Sequence, residues 1–198
     1  MRIKKGWIAL GVAVLAVLLT YGWVKGTYNA LVTAEERVAQ AWANVESTYQ
    51  RRADLIPNLV ETVKGYAAHE REVLEAVTQA RSRVGQITVK ADQLTPEMIQ
   101  RFQRAQQGLS GALTRLLAVA ERYPDLKANQ NFLDLQTQLE GTENRINVAR
   151  NRYNEAARAY NTLIRTFPAK LLADAFGFEP KPYFEADRGA EKAPKVRF

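Results

Sequence analysis

Residues Tyr28, Leu31, Glu35, Val38, Trp42, Val45, Tyr49, Arg52, Ile56, Leu59, Val63, Tyr66, Glu70, Val73, Val77, Ala80 and Val84 recur alternately three and four positions apart, starting just after an apolar N-terminal run. Side chains at that spacing form one stripe along a helix, and the stripe must be covered by other helices of this chain or of another copy. The pattern predicts an all-α protein: an N-terminal transmembrane helix, an elongated antiparallel bundle of three to four long helices, and an extended C-terminal tail. Its expected segments are a short N-terminus (1–6), the membrane helix (7–24), the bundle (26–177) and the tail (178–198).

The membrane segment, Trp7 to Val24, has no charged residue over 18 positions, close to the minimum length for crossing about 30 Å of hydrocarbon. Trp7, Leu10, Val14, Leu18, Tyr21 and Trp23 are its anchor residues, with aromatic rings at both ends where interface belts form. A cleaved signal peptide is the competing reading. The run exceeds the usual signal hydrophobic region, and Thr20-Tyr21-Gly22 is not a small-x-small cleavage site. Arg2, Lys4 and Lys5 precede the run, whereas Lys25 alone closely follows it, so the positive-inside rule puts the N-terminus in the cytoplasm and the bundle outside it. Ala9 and Ala13 form one small-xxx-small pair, too common a pattern to argue helix dimerisation.

The 198 residues suffice for one anchor and one domain with a self-supporting core. The net charge of +7 would suggest nucleic acid if it were clustered on the folded part. It is not: residues 1–25 carry four basic and no acidic residues, residues 181–198 five basic and three acidic, and residues 26–180 nineteen basic and eighteen acidic. Nucleic-acid binding is therefore not expected, and the near-neutral body also argues against broad contact with anionic lipid. The absence of cysteine excludes disulfides, thiolate metal sites and a lipid anchor on cysteine.

Along the chain, Pro57 interrupts the seam, yet Ile56, Leu59 and Val63 keep the register, so a kink and not a reversal is expected there. Residues 85–95 lose the helical period and form the main connection. Thr95-Pro96-Glu97 reads as N-cap, proline at the first helical position and early acid. Ile99, Phe102, Leu109, Leu113, Leu116 and Ala120 continue as a core row, with Gln106 as its polar interruption. Tyr123-Pro124-Asp125 marks a turn. A last long helix over 125–166 carries one row at Phe132, Leu139, Ile146, Tyr153, Tyr160 and Phe167 and a second at Leu135, Thr142, Ala149, Ala156 and Leu163. Phe167-Pro168 ends it, and residues 169–176 form a short helix closed by Gly177.

Chemistry is sparse. His69 is the only histidine, which excludes multi-histidine metal sites, and the Glu-x-x-His pair of a di-metal bundle is absent because Tyr66 stands three positions before it. No nucleophile elbow or phosphate loop occurs. No catalytic, cofactor or metal residues are expected, and the chain is not expected to be an enzyme. The rival reading, a carboxylate metal site, would draw on Glu61, His69, Glu70, Glu140 and Glu143, although Glu140 and Glu143 read equally well as a solvated, ion-paired surface with Arg145 and Arg150 near Glu143. Among the seam's charges, Glu35 fits a wet membrane-proximal end, while Arg52 and Glu70 are expected as buried polar seam residues meeting opposite charges on facing helices. Asn144, Asn147, Asn151, Asn154 and Asn161 form a ladder on the last helix. Asparagine is a poor helix former, so the ladder is either an unusual solvated face or a candidate interaction face toward another helix or protomer. The ending Lys195-Val196-Arg197-Phe198 alternates basic and apolar residues and would either dock or remain without order.

Several stretches carry a family resemblance: Y-N-x-L-V at 28–32, A-W-A-N-V-E at 41–46, Q-R-R-A-D-L-I-P-N-L-V-E-T-V-K-G-Y-A-A-H-E at 50–70, N-F-L-D-L-Q-T-Q-L-E-G-T-E-N-R-I at 131–146, A-R-N-R-Y-N at 149–154, Y-N-T-L-I-R-T-F-P at 160–168 and G-F at 177–178. Together they resemble the LemA family of bacterial membrane proteins over nearly the whole chain. The resemblance implies a transmembrane helix followed by a long-helix bundle, with no catalytic residues to carry over. The expected function is a single-pass, membrane-anchored scaffold or adaptor that self-associates as a homo-oligomer and takes no cofactor. The alternative is a membrane-shaping or membrane-stress protein forming an oligomeric coat.

Overall fold

A computed structural model describes residues 5–87 and 89–185, Lys5 and Asp92 by backbone alone. Arg2, Lys4 and the alternating ending at 195–198 lie outside the described residues. Among those described, all regular structure is helical: α1 (Lys5–Tyr66), α2 (Arg71–Gly85), a 3-10 turn (Ala91–Gln93), α3 (Pro96–Ala120), α4 (Pro124–Lys127), α5 (Gln130–Arg165) and α6 (Ala169–Phe176). The described residues fall into two compact units, one within 1–40 and 155–181, the other within 41–154 and 182–198.

In the first unit, α1 contributes Leu31 and Val38 to the core, α5 contributes Ala157, Tyr160 and Ile164, and α6 contributes Ala169 and Ala173. The apolar run lies on α1 with its large side chains exposed from Trp7 to Trp23 and Val24 half-buried. It makes α1 the one helix among the described residues that is long and apolar enough to cross a membrane. The second row expected on α5 drifts here, since Ala157 and Ile164 are buried where Ala156 and Leu163 were expected. An α-helix of 3.6 residues per turn slips about 20° per heptad against a strict seven-residue repeat, so the covered stripe moves round the helix. Phe167, placed on the first row by sequence, is exposed because α5 stops at Arg165. Gly177 closes α6 in the left-handed region at φ 74°, where a side chain would be strained.

The second unit holds the larger core. Ile56, Leu59 and Val63 of α1, Leu74 and Val77 of α2, Leu109, Leu113 and Leu116 of α3, Leu126 of α4, and Phe132 and Leu139 of α5 bury one another. Two departures from expectation occur here. The seam does not continue to Val84 as one helix: α1 ends at Tyr66, and Ala67 to Glu70 turn the chain back before α2. Once the helix reverses, Leu74 replaces Val73 as the buried neighbour of Val77, and Tyr66 is left exposed. The helix expected over 125–166 is likewise two helices, because Asn129 caps α5 by accepting from the Phe132 amide at 3.0 Å.

The reversal also explains why α1 passes through Pro57 unbroken. Proline has no N–H, so the carbonyl four residues earlier, on Ala53, lacks its helical partner. Arg81 of α2 supplies one, donating from Nε to the Ala53 oxygen at 2.9 Å. Replacing Arg81 by methionine is expected to cost about 1 to 2 kcal/mol, the range for an orphaned buried acceptor. In a Pro57→Ala background, where the restored backbone amide donates to Ala53 instead, the same change should cost less than about 1 kcal/mol. Denaturant unfolding of the four proteins in detergent checks the cycle.

The connection over 85–95 is not a loose loop. Val89 and Leu94 are buried, and Trp42 of α1 donates from Nε1 to the Val89 carbonyl at 2.9 Å. Thr95 then caps α3, its hydroxyl accepting from the Met98 amide at 3.2 Å, with Pro96 in the first turn, as the sequence led one to expect.

Candidate interaction site

Two polar arrangements stand out in the second unit, one buried within the bundle and one holding the start of the C-terminal tail. Arg52, only 3% exposed, donates from Nη1 to Glu143 of α5 at 3.0 Å and to the Ser110 hydroxyl of α3 at 3.1 Å. Its Nη2 donates to the Gln106 side-chain oxygen, and the guanidinium lies 5.2 Å from the Tyr49 ring centroid. The polar interruption of α3 and the seam arginine of α1 therefore answer each other. Glu70 lies elsewhere. It is not a buried seam residue, because the helix has ended before it; it precedes α2, pairs with Arg122 at 3.0 Å and accepts from the Tyr123 hydroxyl at 3.2 Å. Glu143 finds its charge partner in Arg52, and Arg145 turns back to the Gly141 carbonyl of its own helix.

The tail-holding face is built on α5. Asn154 makes a two-bond clamp with Phe184, accepting from its amide at 2.9 Å and donating to its carbonyl at 3.0 Å. The Tyr153 hydroxyl donates to the Pro182 carbonyl at 2.9 Å, while Gln103 and Arg150 donate to the Glu185 carbonyl at 3.1 and 2.8 Å. The Phe184 side chain is buried in an aromatic box. It stacks on Trp42 at 5.8 Å, meets Tyr153 edge-on at 5.3 Å and lies 5.2 Å from the Arg150 guanidinium. Backbone bonds from an asparagine side chain mimic a neighbouring strand, and the ring pocket selects an aromatic side chain, a combination suited to recognising an extended peptide. Burial pushes the Tyr153 phenol well above its ordinary value, so it remains a donor at any ordinary pH.

A like clamp occurs in the first unit, where Asn161 accepts from the Lys181 amide and donates to its carbonyl, both at 2.8 Å. The Lys181 ammonium reaches Glu35 at 2.7 Å and sits 5.7 Å from the Tyr160 ring. The seam acid Glu35 thus has an ion-pair partner in the tail. Tyr160 is buried, its hydroxyl has no hydrogen-bond partner among the described residues, and burial, followed by the Glu35 and Glu179 carboxylates, pushes its phenol up to about 12. Against an ordinary tyrosine near 10, the folded state holds this proton more tightly. The associated stability is intact below about pH 10 and is lost as pH rises from about 10 to 12. A tyrosinate absorbance step near pH 12 that disappears in Tyr160→Phe is the expected observation.

The asparagine ladder is consequently divided. Asn154 and Asn161 serve the chain's own tail, while Asn144, Asn147 and Asn151 are exposed. The ladder's composition left a solvated face and an interface toward another helix or protomer both open, and the partner found at its far end, the chain's own tail, could not be read from spacing. The Phe184 pocket was missed altogether; its one signal was an aromatic residue among prolines in a segment read as a tail. Asn154→Ala is expected to cost about 2 kcal/mol, two bonds at about 1 each, and to remove hydrogen-exchange protection from the Phe184 amide.

Among the described residues, no three His, Asp or Glu side chains are placed to hold a metal ion. His69 is exposed in the turn after α1, Glu61 pairs with Lys64, and Glu140 accepts from Gln136.

The profile of the LemA family matches residues 41–198. The magnetosome protein MamQ 2 of Paramagnetospirillum magneticum is 29% identical over 191 residues, covering 88% of this chain and 70% of that protein. The magnetosome protein MamQ of Magnetospirillum gryphiswaldense is 28% identical over 194 residues, covering 89% and 71%. Protein LemA of Metamycoplasma hominis is 27% identical over 134 residues, covering 67% and 57%. With the family profile spanning most of the chain and the quoted motifs falling mainly on α1 and α5 and at the ends of α5 and α6, this chain belongs to the LemA family.

Proposed function

We propose that the chain is a single-pass scaffold anchored in the bacterial inner membrane by residues 7–24, with its N-terminus in the cytoplasm and its helices outside, and that it works by self-association and not by catalysis. The observation that carries this reading is α1 itself. One uninterrupted helix bears an apolar run with no covering partner and then, from Leu31 onward, a buried stripe. An uncovered run of that length suits burial in hydrocarbon. The acids of the rival metal reading are each engaged by a local partner, which supports a structural role for them.

The self-association face is narrower than the ladder suggested. With Asn154 and Asn161 engaged, it consists of Asn144, Asn147 and Asn151 with the exposed Val148 between them on α5. Because the chain contains no cysteine, Asn147→Cys and Asn151→Cys provide single thiols in native membranes. Crosslinks between copies at these positions, and none at Asn154→Cys, are expected. A strictly monomeric product at both would remove the homo-oligomer from the proposal.

A further inference from the structure

We infer that α6 is a second membrane contact, lying in the headgroup region beside the point where α1 leaves the bilayer. This rests on the anchor reading above and adds to it a site on another part of the chain. Three observations within the first unit support it.

The first is the face that α6 leaves uncovered. At about 100° per residue, the buried Ala169 and Ala173 occupy one narrow side, and Lys170 and Asp174, paired with each other at 2.8 Å, occupy the next. The remaining arc runs from Leu171 through Ala175 and Leu172 to Phe176 and is wholly apolar, with Leu172 half-buried and the other three exposed. Leu171 is 58% exposed and Phe176 56%. The helix thus leaves Leu171, Ala175 and Phe176 exposed beside the side it buries on its own unit.

The second is Phe167, just ahead of α6 and 77% exposed, the most exposed large apolar residue among those described. Scattered exposed leucines are ordinary, but two phenylalanines and a leucine on one ten-residue stretch form a patch.

The third is position. The Phe176 ring meets Tyr28 of α1 edge-on at 5.0 Å, and Phe178 meets the same ring at 5.9 Å. Tyr28 follows Val24, the last residue of the apolar run, by four residues, about 6 Å of helix rise. That is the depth at which aromatic side chains gather at a bilayer surface, so the exposed patch is continuous with the anchor's own exit from the hydrocarbon. The occupant is therefore the acyl and headgroup boundary of the same membrane. Because the α6 charges neutralise each other, the contact is apolar, insensitive to salt, and does not require anionic lipid.

The test uses the full chain in phosphatidylcholine vesicles, carrying a single environment-sensitive fluorophore on Leu171→Cys, Phe176→Cys, Asp174→Cys or Val12→Cys. These positions are exposed, so labelling leaves the packed core intact. Labels at Leu171 and Phe176 should be quenched by lipids bearing a shallow nitroxide and should be about threefold less accessible to iodide than the label at Asp174, as for a helix lying in the interface. The Val12 label should respond to the deep nitroxide. If Val12 responds while Leu171 and Phe176 are as open to iodide as Asp174, the α6 contact is overturned and the anchor stands. If Val12 also remains in water, the anchor reading fails and the α6 contact falls with it.

Discussion

Replacing Trp42 by alanine is expected to destabilise the second unit by about 4 kcal/mol, within the range for truncating a large buried aromatic residue. The side chain is fully buried. It stands between Phe102, which meets it edge-on at 5.6 Å, Tyr153 at the same distance, and the stacked Phe184. It also donates to the Val89 carbonyl within the connection before α3. Truncation leaves a cavity and an unsatisfied acceptor and removes one wall of the pocket for the tail. Trp42→Phe separates these effects: most of the ring packing survives while the Val89 bond is lost, so a cost of about 1 to 2 kcal/mol is expected. Urea unfolding of the detergent-solubilised chain, followed by circular dichroism, measures both, and hydrogen exchange at Phe184 reports whether the tail is released. An equal cost for the two variants would mean that the hydrogen bond, and not the packing, holds the site together.

Helix type, helix faces and the membrane run were legible because each is a local pattern. The three-four spacing marked Leu31, Val38, Trp42, Val45, Ile56, Leu59 and Val63 as core, and all are buried. The N-cap at Thr95 and the glycine at 177 were legible for the same reason, since a cap or a positive φ leaves a mark on one or two residues. The reversal after Tyr66 was not. The heptad register happens to continue in phase across Ala67 to Glu70, and neither proline nor an asparagine cap punctuates that turn. Pro57 was read as no reversal, and α1 does run through it, but the partner of the freed carbonyl, Arg81, lies 28 positions away and left no local mark. The tail site was illegible on like grounds. Nothing in the spacing of Asn154 or of Phe184 shows that one accepts from the other's amide, because such pairing is decided by tertiary placement. The asparagine composition left a solvated face and an interface toward another helix or protomer equally open, and the structure gives Asn154 and Asn161 to the chain's own tail and leaves Asn144, Asn147 and Asn151 exposed.

The second large effect is expected at Arg52. Replacing it with methionine keeps much of the side chain's length but removes the charge, leaving the Gln106 oxygen and the Ser110 hydroxyl without their donor. Breaking a buried, multiply bonded ion pair typically costs about 3 to 5 kcal/mol. Because Glu143 is half exposed and can return to water, the lower end applies. The expected loss is about 3 kcal/mol, or roughly 6 to 12 °C in Tm for a chain of this size. Glu143→Gln should cost less than about 1 kcal/mol for the same reason of exposure, so the double variant should resemble Arg52→Met alone. Arg52→Lys should rescue little, since an ammonium cannot reach Ser110, Gln106 and Glu143 with a planar fork. Thermal unfolding of these four proteins distinguishes two roles for a seam charge. If Arg52→Met melts as expected but retains one sharp transition, the cluster acts mainly on stability. If it loses cooperativity while Tm barely moves, the arginine serves to choose one packing of α1 against α3 and α5 over competing registers, the role that a costly buried polar residue plays in coiled coils.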